Sequence, residues 1–560
     1  MIKEVLKKIK IIINVLIRAP YATTIILSNF VASFLSIIGI PLLIMAFKYS
    51  EDFDGGQVPF SKTISAIFNT VGLEVSFYSL IVSAFFLIVI GQTALGIVEL
   101  LNRYVQIKII KNFSIDLIKS FKNANWLSIL EDKSGKFQFA INTESTRASQ
   151  FVLDSLRFAS SIIQLIFFIG TSFYYSPKIT AILFIFFIFL GIITIIVSLK
   201  ISLLSKFFNL ERIKIAESIS NINNNKKYLK ASFFPNFFLK IYENIEFAWN
   251  IDWRLNLYSF FLRYIIFVFL SVFITLLLIF YKEIGTNIEE VTIAVLIFLR
   301  TTPVFIKISE SYGSLNETLP VYENFTERLI FFGNAKEKNG ALLFRKQNII
   351  SFNNVFYKYP SNKKYIIKNL NFEIKPNKTY AIIGPSGSGK STVVDLFMGL
   401  LRPSKGFIKY GNINQRKINL QSFRKKVSYI SQNISLFDGT IKENLLMGED
   451  KTNKEIIDAC KLCFAFEFIS SMPKKFNTQI GENAIKISGG QKQRILLARA
   501  LLANSEIIIL DEATNQLDKK SLDFISNTIK KIKKNKTIII ISHQKDIKKL
   551  ADKAYYLKTN

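Results

Sequence analysis

Residues 382–392 read Ile-Ile-Gly-Pro-Ser-Gly-Ser-Gly-Lys-Ser-Thr. Two apolar residues close a strand, a glycine-rich turn follows, and a helix opens at Lys390. Glycines without Cβ atoms let backbone N–H groups close around a phosphate. The helix N-terminus then adds a dipole that favours anions. On this reading Gly384, Pro385, Ser386, Gly387, Ser388 and Gly389 form a phosphate cradle. Lys390 reaches the β- and γ-phosphates. Ser391 offers a hydroxyl to Mg²⁺, and Thr392 completes the motif.

The surroundings support a nucleotide-binding domain. From residue 351 short β-rich runs alternate with glycine-rich turns and helical stretches, which suits a parallel α/β sheet. Ile507-Ile508-Ile509-Leu510-Asp511-Glu512 is an apolar strand ending in two acids. A buried parallel strand delivers such acids to the ligand crevice at its C-terminal end. Asp511 is placed to hold Mg²⁺, and Glu512 to polarise an attacking water. Upstream, Ile487-Ser488-Gly489-Gly490-Gln491 opens a helical run and makes a second N-terminal anion site.

The N-terminal half is different. The 560 residues are 50% hydrophobic and only 20% charged, below the roughly 25% usual in soluble domains. Six stretches have the length and apolarity of a membrane span: about 22–47, 77–98, 158–175, 178–201, 257–281 and 288–306. The sixth is the weakest, because Glu289 and Glu290 start it and Arg300 interrupts it. Tyr175-Ser176-Pro177 makes the third and fourth a tight hairpin. Segment 48–74 carries more acids than lysines, whereas 101–157 and 202–255 are rich in Lys and Arg. Loop charge therefore places the first outside and the other two in the cytosol.

Both cytosolic segments lack most helix breakers and read as helical extensions, turning near Trp126–Gly135 and Ala231–Phe238. The apolar spacing among the lysines of 1–19 suits an amphipathic surface helix. Ile64, Ile67, Phe68 and Val71 suggest a short outer helix or hairpin padding. Asp154 and Arg157, spaced i, i+3 at the start of a span, read as a local ion pair.

The formal charge is +31, of which +22 lies in residues 345–560. Positive-inside loops and attraction to an anionic leaflet account for such a bias without nucleic acid. Two cysteines exclude a disulfide framework. Cys460 and Cys463 lie in a helical run with no second pair, so packing is favoured over zinc. One histidine, His543, excludes a multi-histidine metal centre.

The phosphate loop, the Ser488–Gln491 signature and the Asp511-Glu512 strand, in this order, resemble an ATP-binding cassette (ABC) transporter. Six spans with long cytosolic loops further resemble exporter-type half-transporters. The resemblance implies a six-helix membrane domain over 1–320, a linker over 321–350 and an α/β P-loop ATPase over 351–560.

It implies ATP and Mg²⁺ as cofactors. Ser391, Gln432 and Asp511 would be the metal-side residues, and Glu512, His543 and Gln432 the catalytic set. Tyr359 sits where the family stacks an aromatic on adenine. Ser488, Gly489, Gly490, Gln491 and Asp518 would complete the partner subunit's ATP site. Because one chain supplies one cradle and one signature, a dimer is required. A homodimer is simplest, and a heterodimer stays open.

The expected activity is ATP-driven export or flipping of a lipid-like or amphipathic cargo across a bacterial inner membrane. Both termini would be cytosolic, and no nucleic-acid partner is expected. Peptide or drug export, and a membrane-bound regulator without transport, are the alternatives. Arg300-Thr301-Thr302-Pro303 and segment 61–72 faintly resemble lipid-linked oligosaccharide flippases. Asn515-Gln516 and Gln479 depart from the family pattern.

Overall fold

A computed structural model describes residues 2–558, apart from 20, 33–41, 43–45, 47–65, 67, 71, 73, 133, 176, 233–234, 281–282, 284–287, 346–348, 432–435, 482–486 and 513–518. The chain divides into two compact units. The first holds Met1–Ala124 and Ser128–Lys336, and the second holds Asn125–Leu127 and Glu337–Asn560.

The first unit is helical. Ile2–Arg18 is one helix. Phe77–Asn123, Pro177–Asn224, Pro235–Phe280 and Ile288–Asn334 each run for more than 45 residues. At 1.5 Å per residue that is about 70 Å, more than twice a bilayer's hydrocarbon core. The spans therefore continue as helices through the segments read as cytosolic.

Among the described residues, four helices are long and apolar enough to cross a membrane. A fifth joins them if the bent pair Lys8–Arg18 and Ala22–Ala32 counts as one span. The sixth apolar stretch begins the helix Ile288–Asn334, which continues through Pro303 and Pro320. Much of 22–47 and of the 61–72 segment lies outside the described residues.

The hairpin between the third and fourth spans is tight. One helix ends at Tyr175 and the next starts at Pro177. Proline at the first helical position forfeits an N–H that has no helical partner anyway. The hydroxyls of Ser172 and Thr180 hydrogen-bond across the turn at 2.8 Å. The first crossing segment is the short helix Trp126–Glu131, within the expected stretch. The second is Lys226–Ala231, slightly earlier than 231–238. Asn225 and Ser232 leave helical geometry on either side of it, so the turn is made before Pro235 rather than after it.

The second unit holds two sheets. The strands are β1 (Ile350–Tyr357), β2 (Ile367–Ile374), β3 (Thr379–Ile383), β4 (Lys405–Tyr410), β5 (Ile413–Asn414), β6 (Val427–Ile430), β7 (Ile507–Asp511), β8 (Thr537–Ser542) and β9 (Lys553–Tyr556). One sheet is antiparallel, in the order β2-β1-β4-β5. The other is fully parallel, in the order β6-β7-β8-β3-β9.

Strand alternation feeds two cores. Ile382, Ile507, Ile509, Ile539 and Ile541 face a cluster shared with the antiparallel sheet. Ala381, Ile383, Ile508, Leu510, Ile538 and Ile540 face a second cluster, which includes the apolar side of helix Gly489–Leu502. Burial on both faces is why β7 and β8 read as continuous isoleucine runs. Cys460 and Cys463 are buried free thiols in this second cluster. Burial pushes the Cys460 thiol up to about 12, so it packs as a small apolar side chain.

Candidate nucleotide site

The parallel sheet brings the C-terminal ends of β3, β7 and β8 side by side. Ile383 pairs with Ser542, and Asp511 with Ile541. The residues that follow these strands therefore meet: Gly384 after β3, Glu512 after β7 and His543 after β8.

The glycine-rich turn has the conformation the sequence requires. Gly387 and Gly389 take φ values of +79° and +87°, where a side chain would be strained. A Cβ at Gly389 would also stand 2.7 Å from Ile367 Cδ1, under the antiparallel sheet. Gly389 caps the helix Lys390–Phe397, whose opening N–H groups face the turn. Lys390 is buried. Its ammonium donates to the carbonyls of Gly384 and Pro385, both at 3.0 Å, and stands 3.5 Å from a Glu512 carboxylate oxygen. Among the described residues the buried Ser388 hydroxyl has no hydrogen-bond partner. A polar group orphaned inside the cradle fits an anionic ligand there.

Glu512 is held in an unusual way. Its φ is +49°, uncommon for a residue with a side chain, and its N–H donates to Ile541 O at 2.9 Å. β8 thus fixes the backbone of the residue that ends β7. The carboxylate reaches both Lys390 and, at 4.0 Å, His543 Nδ1. Observed strain of this kind gathers at functional sites. His543 is more than half exposed, so its ring can meet a ligand from solvent.

Asp511 is nearly buried at the end of β7. Burial, partly offset by a hydrogen bond from Tyr429, holds its carboxyl above the usual range. The Tyr429 phenol donates to Asp511 Oδ2 at 2.8 Å. Burial and the same acid raise the phenol's pKa, so it stays a donor. Asp395, on the helix after the cradle, is pushed up to about 6 by burial and by the Asp511 charge. Sequence reasoning missed both Tyr429 and Asp395. Tyr429 is one of several strand aromatics, and only the β6–β7 register brings it to Asp511.

The donor set suits Mg²⁺. That ion takes one or two protein oxygens and fills its octahedron with phosphate and water. The Ser391 hydroxyl, exposed in the first helical turn, and the Asp511 carboxylate supply that chemistry. Among the described residues no three His, Cys, Asp or Glu side chains cluster as a metal centre.

The remaining expected residues fall in several places. Tyr359 is partly buried and packs edge-on against Tyr357, with ring centroids 5.1 Å apart. Ser386 is exposed beside the cradle, and Thr392 is buried behind it. Ser488 caps the helix Gly489–Leu502 through a reciprocal box with Gln491. Gly489 is exposed there, whereas Gly490 is buried. Gln479 bridges antiparallel to Thr440. Gln432, Asp518 and the Asn515-Gln516 pair lie outside the described residues.

Known proteins are similar to this chain in sequence or in fold. The family model described as ABC transporter matches residues 367–515. An ATP-dependent lipid A-core flippase of Legionella pneumophila is 36% identical over 225 residues, covering 40% of this chain and 38% of that protein. ABC transporter B family member 13 of Arabidopsis thaliana is 38% identical over 220 residues, 39% of this chain and 18% of that one. The matched region thus spans well under half of these relatives. A solved structure of a bacterial Atm1-family ABC exporter with ATP bound covers 97% of this chain and 96% of its own. Its TM-score is 0.76 at 19% identity, a likeness of fold.

Proposed function

We propose that this chain, an ABC transporter with a helical membrane unit and an ABC-type ATPase domain, is one half of an ATP-driven exporter. The cargo read from its apolar spans is lipid-like or amphipathic. The observation that carries the ATPase reading is the convergence of Lys390, Glu512 and His543 at adjacent ends of a parallel sheet.

ATP would lie with its phosphates on the 384–389 turn, cradled by N–H groups and by Lys390. Mg²⁺, held by Ser391 and Asp511, would neutralise charge on the phosphate oxygens. Glu512 orients and deprotonates the attacking water. His543 contacts the γ-phosphate from the neighbouring strand end. Phosphoryl transfer of this kind is mostly positioning and electrostatics, which a strained, strand-anchored acid supplies without rearrangement. Gln432 is assigned beside the metal and the water, and Tyr359 beside adenine.

Ser488, Gly489, Gly490, Gln491 and Asp518 are assigned to the ATP of a second subunit, most simply another copy of this chain. We assign the chain to the inner membrane, and its loop charges favour cytosolic termini.

The test is Glu512→Gln in the purified, reconstituted chain. ATP binding should persist, while hydrolysis falls by about 10²–10⁴-fold, the range of a lost general base. Wild-type turnover in that variant would remove Glu512 from this role.

A further inference from the structure

The helical unit buries charge in two places, and only one of them is balanced. A polar cavity of about 410 Å³ between its helices is walled by Asn102, Asp154, Arg157 and Glu317, among others. Its acids are met. Asp154 accepts from Gln150 at 2.9 and 3.0 Å and from Ser314 at 2.5 Å, with Arg157 3.6 Å away. Arg157 also donates to Glu99 at 2.6 Å, and Glu317 is held by Arg147. The Asp154–Arg157 pair expected from the sequence thus forms, and it forms on a cavity wall.

The second place lies in the segment read as cytosolic, where helix Ser134–Phe139 runs on into Ser145–Tyr175. Ala140–Glu144 joins them as a π-helical turn, with the Ser145 N–H reaching back to Ala140 O. Such a turn fits one extra residue into a helix and is frequent at functional sites. Glu144 closes it. The residue is fully buried, and among the described residues neither of its carboxylate oxygens has a hydrogen-bond partner. On either side of it in the chain, Ala140 and Ala148 are buried with Leu117, Phe325 and Phe332. The packing is close: a Cβ at Gly135 would stand 3.1 Å from Glu217 Cα on the helix Pro177–Asn224.

The charged groups around Glu144 come from three elements. Asp132 and Lys136 flank the start of its own helix, and Arg328 comes from Ile288–Asn334. Glu217 faces Asp132 and stands 3.6 Å from Lys136. Phe77–Asn123 packs there through apolar Leu117 and Phe121. Arg328 Nη1 is 3.5 Å from Asp132 Oδ1, yet neither Arg328 Nη1 nor Asp132 Oδ2 has a hydrogen-bond partner among the described residues. Three acids thus share two described cations. A bare carboxylate is too costly to bury without a partner, so the excess is met by a proton. Burial pushes the Glu144 carboxyl above its usual range, against the pull of Arg328.

This cluster adjoins both passages of the chain between the two units. Asp132 follows the passage at 125–127, and Arg328 precedes the one after Lys336. Ala124 and Lys336, at the two passages, bridge antiparallel to each other.

We propose that Glu144 is a proton-operated lock on this joint. Protonated, it lies among the phenylalanines and leaves Arg328 to Asp132. When it gives its proton to water, the carboxylate draws Arg328 away from Asp132, and the packing around the π turn loosens. The closed joint binds one proton more than the open one, so rising pH favours the open form. The lock is independent of the cargo and of the ATP chemistry.

The test is hydrogen exchange of the full chain in nanodiscs without nucleotide, read by mass spectrometry over residues 128–148 between about pH 6 and 9. Corrected for intrinsic exchange, wild-type protection should fall about tenfold per pH unit above the titration, the mark of one released proton. Glu144→Gln cannot ionise and should hold protection constant. Asp132→Asn frees Arg328 and should move the fall to lower pH. An infrared titration adds a reading on the unaltered Glu144: a protonated-carboxyl signal that survives Asp395→Asn should vanish over the same range as protection.

Constant wild-type protection overturns the proposal, as does an equal fall in Glu144→Gln. An unshifted fall in Asp132→Asn, or no such carboxyl signal, overturns it as well, and these two readings decide if Glu144→Gln fails to fold.

Discussion

The phosphate cradle and the polar cavity both hold buried charge, and they hold it in opposite ways. In the cradle, Lys390, Asp511 and Glu512 sit at strand ends and in turns, each within a few residues of a glycine or a strand terminus. In the cavity between the helices of the first unit, the charges arrive one to three per helix from positions more than two hundred residues apart. The cradle keeps an acid in a left-handed, reactive pose, whereas the cavity saturates its central acid with donors. Chemistry needs a group that is not fully satisfied. A helical wall needs one that is.

That contrast is broken most directly at the two acids. Glu512→Gln is expected to cost turnover and not the fold. Asp154→Leu should do the reverse, because it strands Gln150, Ser314 and Arg157 in the wall. Breaking such a buried network costs about 3–5 kcal/mol. Thermal unfolding of the detergent-solubilised chain would read this as a large drop in midpoint. An unchanged midpoint would show that Asp154 is not structural.

A smaller effect tests the cradle's own support. Tyr429→Phe removes the hydrogen bond that orients Asp511. Partners of this kind affect metal affinity or activity by about 10–100-fold. The Mg²⁺ midpoint of hydrolysis should rise by at least about tenfold while the fold is kept. An unshifted midpoint would make Tyr429 an ordinary strand aromatic.

The smallest effect concerns Asp395. Its folded pKa, raised to about 6, lies above the unfolded value near 3.8. The folded state therefore binds more protons between those values, and its stability falls as pH rises through that window. Asp395→Asn should raise the unfolding midpoint at pH 7.5 and leave it nearly unchanged below pH 4. An equal shift at both would refute the ionisation cost. The group is partly solvated, which keeps the effect modest.

Legibility followed the same divide. The cradle could be read because its constraints are local: only glycine accepts the φ of Gly387 and Gly389, and only a doubly buried strand needs four apolar residues before Asp511. Tyr429 and Asp395 escaped because they reach the site through register and helix packing. In the other half, spans, hairpin and long helices were legible from apolar length and the Tyr175–Pro177 break. Asp154 and Arg157 were legible as a pair, because i, i+3 spacing is local. Their place on a cavity wall was not, and Asn102 carried no signal at all.

The sequence by itself thus determined the two architectures, the phosphate loop and the acid-tipped strand, since each follows from periodicity or backbone conformation over a few residues. Only the tertiary structure decided which polar side chains meet. The order β6-β7-β8-β3-β9 sets Glu512 beside Lys390 and His543, and the helix packing sets Asn102 in the chamber that holds Asp154. Those neighbours are distant along the chain, and the burial that makes them interact exists only once both sides have packed.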